Sequence, residues 1–265
     1  MKWFTEWRRA RILRRATFDE KLWLVTLERY PFLRALSQSE RMRLKNTVAL
    51  FLHDKSIHGA AGLEMHDEIR ISIAAQACIL ILNLDPDYYR GWVEIIVYPD
   101  EFVATYEFVD EDGVAHVVHE PMSGESWLQG PVILSWADAK GNGWAGYNVV
   151  IHEFAHKLDM LNGDANGFPP LHSDMAREVW SRVFSKAYED FCLRVDRGEH
   201  GLIDSYAAEN PAEFFAVTSE AFFETPHAVQ LSYPDVYRQL ALFYRQDPAA
   251  RAAGMTTHDS PAATA

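Results

Sequence analysis

Hydrophobic residues recur at helical spacing through the first third of the chain. Between residues 17 and 60, leucines are separated by charged positions, as on one face of a helix. Residues 64–84 form a second, more apolar stretch, which Asp85-Pro86 is expected to end. These patterns predict helix over residues 17–60 and again over residues 64–84.

The middle of the chain has the short apolar runs that are typical of strands. Residues 92–98 and 131–136 are predicted strands, bounded by proline or glycine. Residues 114–119 follow an Asp-Gly turn, which predicts a hairpin. Helices are then predicted at about residues 148–160 and 210–224, the second opened by Asn-Pro. The expected fold class is α+β, with a small mixed β-sheet flanked by helices.

The two ends of the chain differ from its middle. Residues 1–16 contain six basic residues and one acid. Such a segment is either a solvated, frayed arm or a basic amphipathic stretch that touches a membrane or a partner. Residues 249–265 are rich in Ala, Thr and Ser, which predicts a disordered tail. Residues 17–248 are therefore expected to form one domain.

Composition and charge narrow the class of protein. Hydrophobic residues make up 48% of the chain, enough for a sizeable core. The net charge of −13 argues against direct nucleic-acid binding and against a general affinity for anionic membranes. The most apolar run is too short to cross a bilayer, so no stable membrane insertion is expected. No secretory signal precedes Cys78 and Cys192, so we expect reduced cysteines in a soluble cytoplasmic protein.

One motif in the predicted helix 148–160 carries the chemistry. His152-Glu153-Phe154-Ala155-His156 places two imidazoles four residues apart, on one face of a helix, where both can reach one Zn²⁺ ion. Glu153 then lies beside a metal-bound water, which it can deprotonate. The alternative is a pair of hydrogen-bonded core histidines, and the apolar flanks of the motif favour the zinc site because purposeless burial of three polar side chains is costly.

Zinc requires a third protein ligand, and the motif does not supply it. Asp159 and Asn162 stand where another class of zinc peptidases has glycine and a third histidine. The best source is the predicted helix 210–224, which is apolar nearly all round yet contains Glu213 and Glu220. Glu213 also fits an ordinary helix-capping position, and Glu220 lies deeper, so the residues alone leave both candidates open.

Three further features have a functional and an ordinary interpretation. Asp159 could accept the second N–H of a metal-bound imidazole, or it could face solvent. Tyr206 could donate to an oxyanion near zinc, although nothing in the composition distinguishes it from the other tyrosines. The strand at residues 132–136 could bind substrate backbone at an open edge, or it could be an interior strand.

Several longer motifs accompany the histidine pair and resemble a known family. They are Gly124-Glu125-Ser126-Trp127, Gln129 through Trp136, Asn148 through Asp159, Tyr206-Ala207-Ala208 and Asn210-Pro211-Ala212-Glu213. On these the chain resembles the MtfA (Mlc titration factor A) family, the glucose-regulated M90 metallopeptidases.

The resemblance implies a zincin-like fold with an HExxH helix and a second helix that carries a glutamate ligand. It implies that His152, His156 and Glu213 bind one Zn²⁺ per chain and that Glu153 is the catalytic base. Tyr206 would assist, because its interval to Glu213 resembles that in the lethal-factor toxin protease. Glu220 then becomes a buried structural acid or a partner of a ligand.

The family also implies what the protein acts on. It implies a zinc metallopeptidase, in particular an aminopeptidase for peptide substrates. It further implies binding to the transcriptional repressor Mlc, which controls glucose phosphotransferase genes. The helical residues 17–90 would precede a catalytic part at residues 91–248. The alternative is a non-catalytic protein that sequesters a repressor and has a structural zinc site, but Glu153 argues against it because a structural site needs no base.

Overall fold

The helical first third begins with well-capped helices. A computed structural model describes residues 2–109, 115–127, 130–141, 146–199 and 201–256. The first five helices are α1 (Lys2–Arg15), α2 (Glu20–Arg29), α3 (Pro31–Arg34), α4 (Gln38–Asp54) and α5 (Asp67–Leu80). The Asp19 carboxylate accepts the first amides of α2, and Ser37 and Glu40 form a reciprocal capping box at α4. The predicted helix at 64–84 is confirmed as α5.

The prediction of helix to residue 60 is wrong at its end. Helix α4 stops at Asp54, and Ser56–Gly59 forms strand β1, which pairs in parallel with β2 (Glu94–Tyr98). The side chain of Ile57 is buried in the core beneath the sheet. The partner strand lies far along the sequence, so local periodicity could not show this pairing.

The remaining strands complete a small mixed sheet and a separate hairpin. Strands β3 (Phe102–Val109) and β4 (Ala115–Met122) pair with each other in antiparallel fashion, which confirms the predicted hairpin, although its Asp112-Gly113 turn lies outside the described residues. The main sheet has the order β1-β2-β6-β5, with β5 at Gly124–Ser126 and β6 at Val132–Ser135. Of the four strands described in it, β5 alone runs antiparallel to its neighbour.

Strand β6 is an interior strand, which corrects one expectation. It pairs with β2 on one side and with β5 on the other, so residues 132–136 offer no open edge to a substrate. Trp136 does not belong to the strand but begins the short helix α6 (Trp136–Ala139). Among the described residues, β5 is the outermost strand of the sheet on this side.

The second half of the chain is again helical. Its helices are α7 (Val149–Asp159), α8 (Arg177–Asp196), α9 (Pro211–Glu224), α10 (Pro226–Ser232), α11 (Pro234–Tyr244) and α12 (Pro248–Thr256). Helices α7 and α9 confirm the predictions at 148–160 and 210–224, and Asn148 and Asn210 cap them. The mixture of helices with a small mixed sheet confirms the α+β class.

The described residues nearest each chain end are helical. Helix α12 includes the first residues of the tail that was predicted to be disordered. There Ala249 is buried, and the Arg251 guanidinium donates hydrogen bonds to the Glu40 carboxylate on α4. At the other end α1 is a helix rather than a frayed arm, and its Ile12 faces inward. Cys78 and Cys192 are both free. Among the described helices, none has the length and apolar character to cross a bilayer.

Candidate metal centre

Helix α7 is anchored on its apolar side, which directs its polar side chains toward α9 and β5. The Asn148 side chain accepts a hydrogen bond from the Ile151 amide and begins the helix. Phe154 is fully buried among the aromatic rings of Phe51, Tyr89 and Trp92, with centroid distances of 5.2–5.7 Å. A helix fixed in this way has little freedom to rotate, so the imidazoles on its other side have defined positions.

Three side chains from α7 and α9 converge on one point. The Nε2 atoms of His152 and His156 lie 3.1 Å apart. The Oε2 atom of Glu213 lies 2.9 Å from the first of these nitrogens and 3.4 Å from the second. A tetrahedral zinc ion with bonds of about 2.0–2.2 Å holds its ligand atoms about 3.3 Å apart. The triangle therefore has the size and the donor set of a zinc site.

The Glu213 carboxylate supports the same conclusion. Its Oε2 atom is buried and makes no hydrogen bond of acceptable geometry with any described residue, although both imidazoles are within ion-pair distance. Burial alone would raise the pKa of Glu213, but the two imidazoles outweigh it and hold the pKa well below its usual range. An ionised carboxylate with an unsatisfied oxygen is suited to a metal ion.

Glu220 lies within hydrogen-bond distance of the second ring nitrogen of His152. Its Oε1 atom lies 2.7 Å from His152 Nδ1, and its carboxylate also accepts a hydrogen bond from the Asn148 amide. Burial would lower the pKa of His152, but the charge of Glu220 raises it well above its usual value. In the neutral ring, as a metal ligand must be, a proton held at Nδ1 leaves the Nε2 lone pair directed at the centre. Glu213 and Glu220 therefore contact opposite nitrogens of one ring.

A buried amide network connects the start of α7 to the helical first third. The Asn148 side-chain amide donates to Gln76 Oε1 at 2.8 Å and to Glu224 Oε1 at 2.9 Å. Gln76 in turn donates to the Ala139 carbonyl at 2.9 Å. Burial raises the pKa of Glu224 to about 7, against the opposing hydrogen bond from Asn148. Sequence reasoning missed this network, since its members lie on separate elements.

The side chain of Glu153 extends from α7 toward strand β5 and is buried there. A Cβ atom at Gly124 would lie 2.4 Å from Glu153 Oε1, so the strand can approach this closely only with glycine. Burial raises the pKa of Glu153, and the neighbouring imidazoles of His152 and His156 oppose this rise. The only sequence signal for the contact was the glycine itself, in the Gly124-Glu125-Ser126 motif.

Asp159 does not have the hydrogen bond expected of it. Its Oδ2 atom accepts the amides of Asn166 and Gly167, each at 2.7 Å, and so orders the loop after α7. Its Oδ1 atom and the Nδ1 atom of His156 are both buried without a hydrogen-bond partner among the described residues. Burial raises the pKa of Asp159, although the loop amides oppose the rise. The carboxylate therefore acts on the loop.

Tyr206 lies at the mouth of the site. It belongs to a single 3-10 turn, Ser205–Ala208, which the Asp204 side chain caps. Its ring centroid is 6.1 Å from that of His152, and 51% of the residue is exposed. The structure therefore brings Tyr206 to the same cleft as the other four candidate residues.

The converging side chains line a cleft of about 930 Å³, with β5 along one wall. No lysine or arginine lines it among the residues the structure describes. The carboxylates that line it are Glu125, Glu153, Asp204, Glu213 and Glu220. The electrostatic character of the cleft is therefore anionic before any metal is bound.

Comparison of the sequence with known proteins identifies the family to which the chain belongs. Residues 4–245 match the family described as glucose-regulated metallo-peptidase M90. The chain is also 37% identical over 226 residues to proteins named Mlc titration factor A from Yersinia pestis (strain Pestoides F) and Yersinia pseudotuberculosis serotype O:1b (strain IP 31758), which covers 83% of each chain. The chain therefore belongs to the M90 metallopeptidase family, the MtfA family. This confirms the resemblance inferred from the motifs.

Proposed function

We propose that the chain is a cytoplasmic, zinc-dependent aminopeptidase of zincin-like fold. The observation that carries the proposal is the convergence of His152, His156 and Glu213 on one point with the buried Glu153 beside it. These three residues would hold one Zn²⁺ per chain. A tetrahedral ion with three protein ligands keeps one position open, as catalytic zinc sites require.

The residues around the centre divide the work of peptide hydrolysis. When bound, zinc supplies Lewis acidity, which polarises a carbonyl group and makes a water molecule more acidic. Glu153 accepts the proton of the attacking water and delivers it to the departing amine. The Tyr206 phenol donates a hydrogen bond to the oxyanion that develops on the carbonyl. Glu220 holds the His152 ring in the orientation that directs Nε2 toward the centre.

The charge of the cleft supports the exopeptidase part of the proposal. With five carboxylates and no lysine or arginine among the described lining residues, the cleft attracts the ammonium group of a peptide N-terminus and repels a C-terminal carboxylate. The outer edge of β5, beyond which the described residues form no further strand, can bind extended substrate backbone as an added strand. A peptide aligned along Gly124–Ser126 would pass directly beside Glu153.

The experiment combines metal analysis with a matched substrate pair. We expect one zinc per chain, loss of activity with a chelator and recovery with added zinc. We expect hydrolysis of an aminoacyl p-nitroanilide and no hydrolysis of the same compound with its amine acetylated. Activity without bound metal would contradict the zinc mechanism. Equal activity on the acetylated compound would remove the aminopeptidase assignment and leave an endopeptidase or esterase.

The names of the relatives support a second function. They are called Mlc titration factor A, so we propose that this chain also binds an Mlc-type transcriptional repressor and thereby modulates glucose phosphotransferase genes. The test is co-elution of the purified chain with the repressor, for wild type and Glu153→Gln. Binding by both proteins, with turnover only in wild type, would separate the two functions. Binding without turnover in wild type would instead support a non-catalytic repressor-binding protein with a structural zinc site.

A further inference from the structure

Helix α1 differs in charge from the rest of the molecule. Its fourteen residues contain six basic side chains and one acid, a net charge of +5. The whole chain has a net charge of −13, so the remainder carries −18. The helix is therefore a local cationic element on an anionic protein, and its potential dominates only within a Debye length of about 8 Å at physiological salt.

In α1 the placement of charged and apolar side chains is the reverse of that in an ordinary surface helix. Its inward side is fixed by ion pairs, from Arg8 to Asp54 at 2.7 Å and from Arg9 to Asp85 at 2.6 Å. Ile12 is the one buried apolar side chain of the helix among those described. A surface helix normally directs its apolar stripe to the core and its charges to water.

The aromatic residues of α1 face outward. Trp3, Phe4 and Trp7 are 76%, 62% and 44% exposed, and the rings of Phe4 and Trp7 stack with centroids 6.1 Å apart. Soluble proteins expose single apolar residues routinely, but three large rings within two turns form a patch that favours a partner.

Three arginines extend the same face toward the end of the helix. At 100° per residue, Arg14 lies within about 40° of both tryptophans around the helix axis, and Arg11 lies near Trp7. The Arg11 guanidinium stands 5.5 Å from the centre of the Trp7 ring. Arg14 and Arg15 are exposed, and neither forms an ion pair with a residue that the structure describes. These charges are therefore available to an external anion.

We propose that the outward face of α1 binds the surface of an anionic phospholipid bilayer. Aromatic rings prefer the boundary between headgroups and acyl chains, and arginines pair with lipid phosphates. A groove of about 510 Å³ between α1 and α4, walled by Phe4, Trp7, Phe18 and Leu52 with Arg11 and Arg15 beside them, provides apolar space next to those charges. Binding is peripheral, as for an interfacial helix.

The size of the face favours a membrane over a folded protein partner. A helix of fourteen residues is about 21 Å long, and one face of it is small compared with the roughly 800 Å² per partner of a stable protein interface. A bilayer needs no matching shape. The family match begins at residue 4, so all but the first two residues of the helix lie within the region that matches the family.

The test is co-sedimentation of the full chain with vesicles of phosphatidylcholine, with and without phosphatidylglycerol. We expect binding only to the vesicles that contain phosphatidylglycerol, and we expect added salt to weaken it. The double variant Arg11→Glu/Arg14→Glu should lower vesicle affinity at least about tenfold, and Trp3→Ser/Trp7→Ser should also lower it. Matched controls are Arg197→Glu and Leu231→Ser, which are exposed elsewhere and should bind like wild type.

Two outcomes would overturn the proposal. One is absence of binding to both vesicle types, which is also the result expected if the face serves a protein. The other is equal binding by wild type and the Arg11→Glu/Arg14→Glu variant, with both shown to be folded by circular dichroism. Chelator-treated protein should bind vesicles as wild type does, so the result does not depend on the peptidase proposal.

Discussion

The α7–α9 pair and helix α1 both reverse the usual placement of side chains, in opposite directions. Helices α7 and α9 bury Glu153 and Glu220 in the interior, whereas α1 exposes Trp3 and Phe4 to solvent. These two buried acids lie beside the imidazoles of the candidate metal centre, and neighbours within the chain hold them in place. Among the residues that the structure describes, none covers the outer side of these two exposed rings. The first arrangement indicates a reaction site and the second indicates a contact with something outside the molecule.

The two regions also differ in how firmly they are held. Phe154 fixes α7 through three aromatic neighbours in the core. Helix α1 is attached through one buried apolar side chain, Ile12, and through exposed ion pairs, which contribute about 0.2–1 kcal/mol each. A site that must hold catalytic geometry requires the first kind of attachment. A helix that meets a surface can rely on the second.

The largest expected effect is on zinc binding, and it distinguishes Glu213 from Glu220 on α9. Glu213→Gln should lose most of the bound zinc, because a neutral amide replaces the charged ligand. Glu220→Gln should keep its zinc stoichiometry with an affinity about 10–100-fold lower, because it only orients His152. Zinc titration of both folded variants gives the answer. Loss of zinc from Glu220→Gln with normal binding by Glu213→Gln would exchange the two roles.

Glu153→Gln should abolish most turnover and leave the metal in place. Loss of a general base costs about 10²–10⁴-fold in rate, and the amide fills nearly the same volume beside Gly124. Rates on an aminoacyl p-nitroanilide and zinc content of the same sample are the measurements. A variant that retains more than about a tenth of the wild-type rate would show that Glu153 is not the base.

Tyr206→Phe should lower kcat about 10²–10³-fold with zinc content unchanged, as removal of an oxyanion donor does. Tyr147 lines the same cleft, so Tyr147→Phe is the matched control and should change kcat much less. If the two variants exchange these results, the oxyanion donor is Tyr147.

The smallest effect tests how weakly α1 is attached. Arg9→Ala removes ion pairs to Asp85 and Asp87 and should lower the free energy of unfolding by about 1 kcal/mol or less. Phe154→Ala in α7 should lower it by about 3–5 kcal/mol, because it leaves a cavity in the core. Chemical denaturation of both variants measures the difference. Similar losses would mean that α1 is as much a part of the core as α7.

Local signals predicted the helices of the site well. The caps Asn148 and Asn210 mark the starts of α7 and α9, and residues four apart on α7 had to share a face. Strand β1 was missed because its pairing depends on β2, which lies far along the chain. The contact of Glu220 with His152 Nδ1 was not predictable either, since it depends on how two helices rotate against each other.

Gln76 limits how the molecule can be divided. It lies on α5 in the helical first third, yet its side-chain oxygen accepts a hydrogen bond from the side-chain amide of Asn148, the residue that caps the start of α7. A fragment that starts near residue 91 would leave that buried donor without its partner, at a cost of about 1–3 kcal/mol. The pair of helices that forms the candidate metal centre is therefore not a portable module, and a designer who grafts it onto another scaffold must transplant α5 with it.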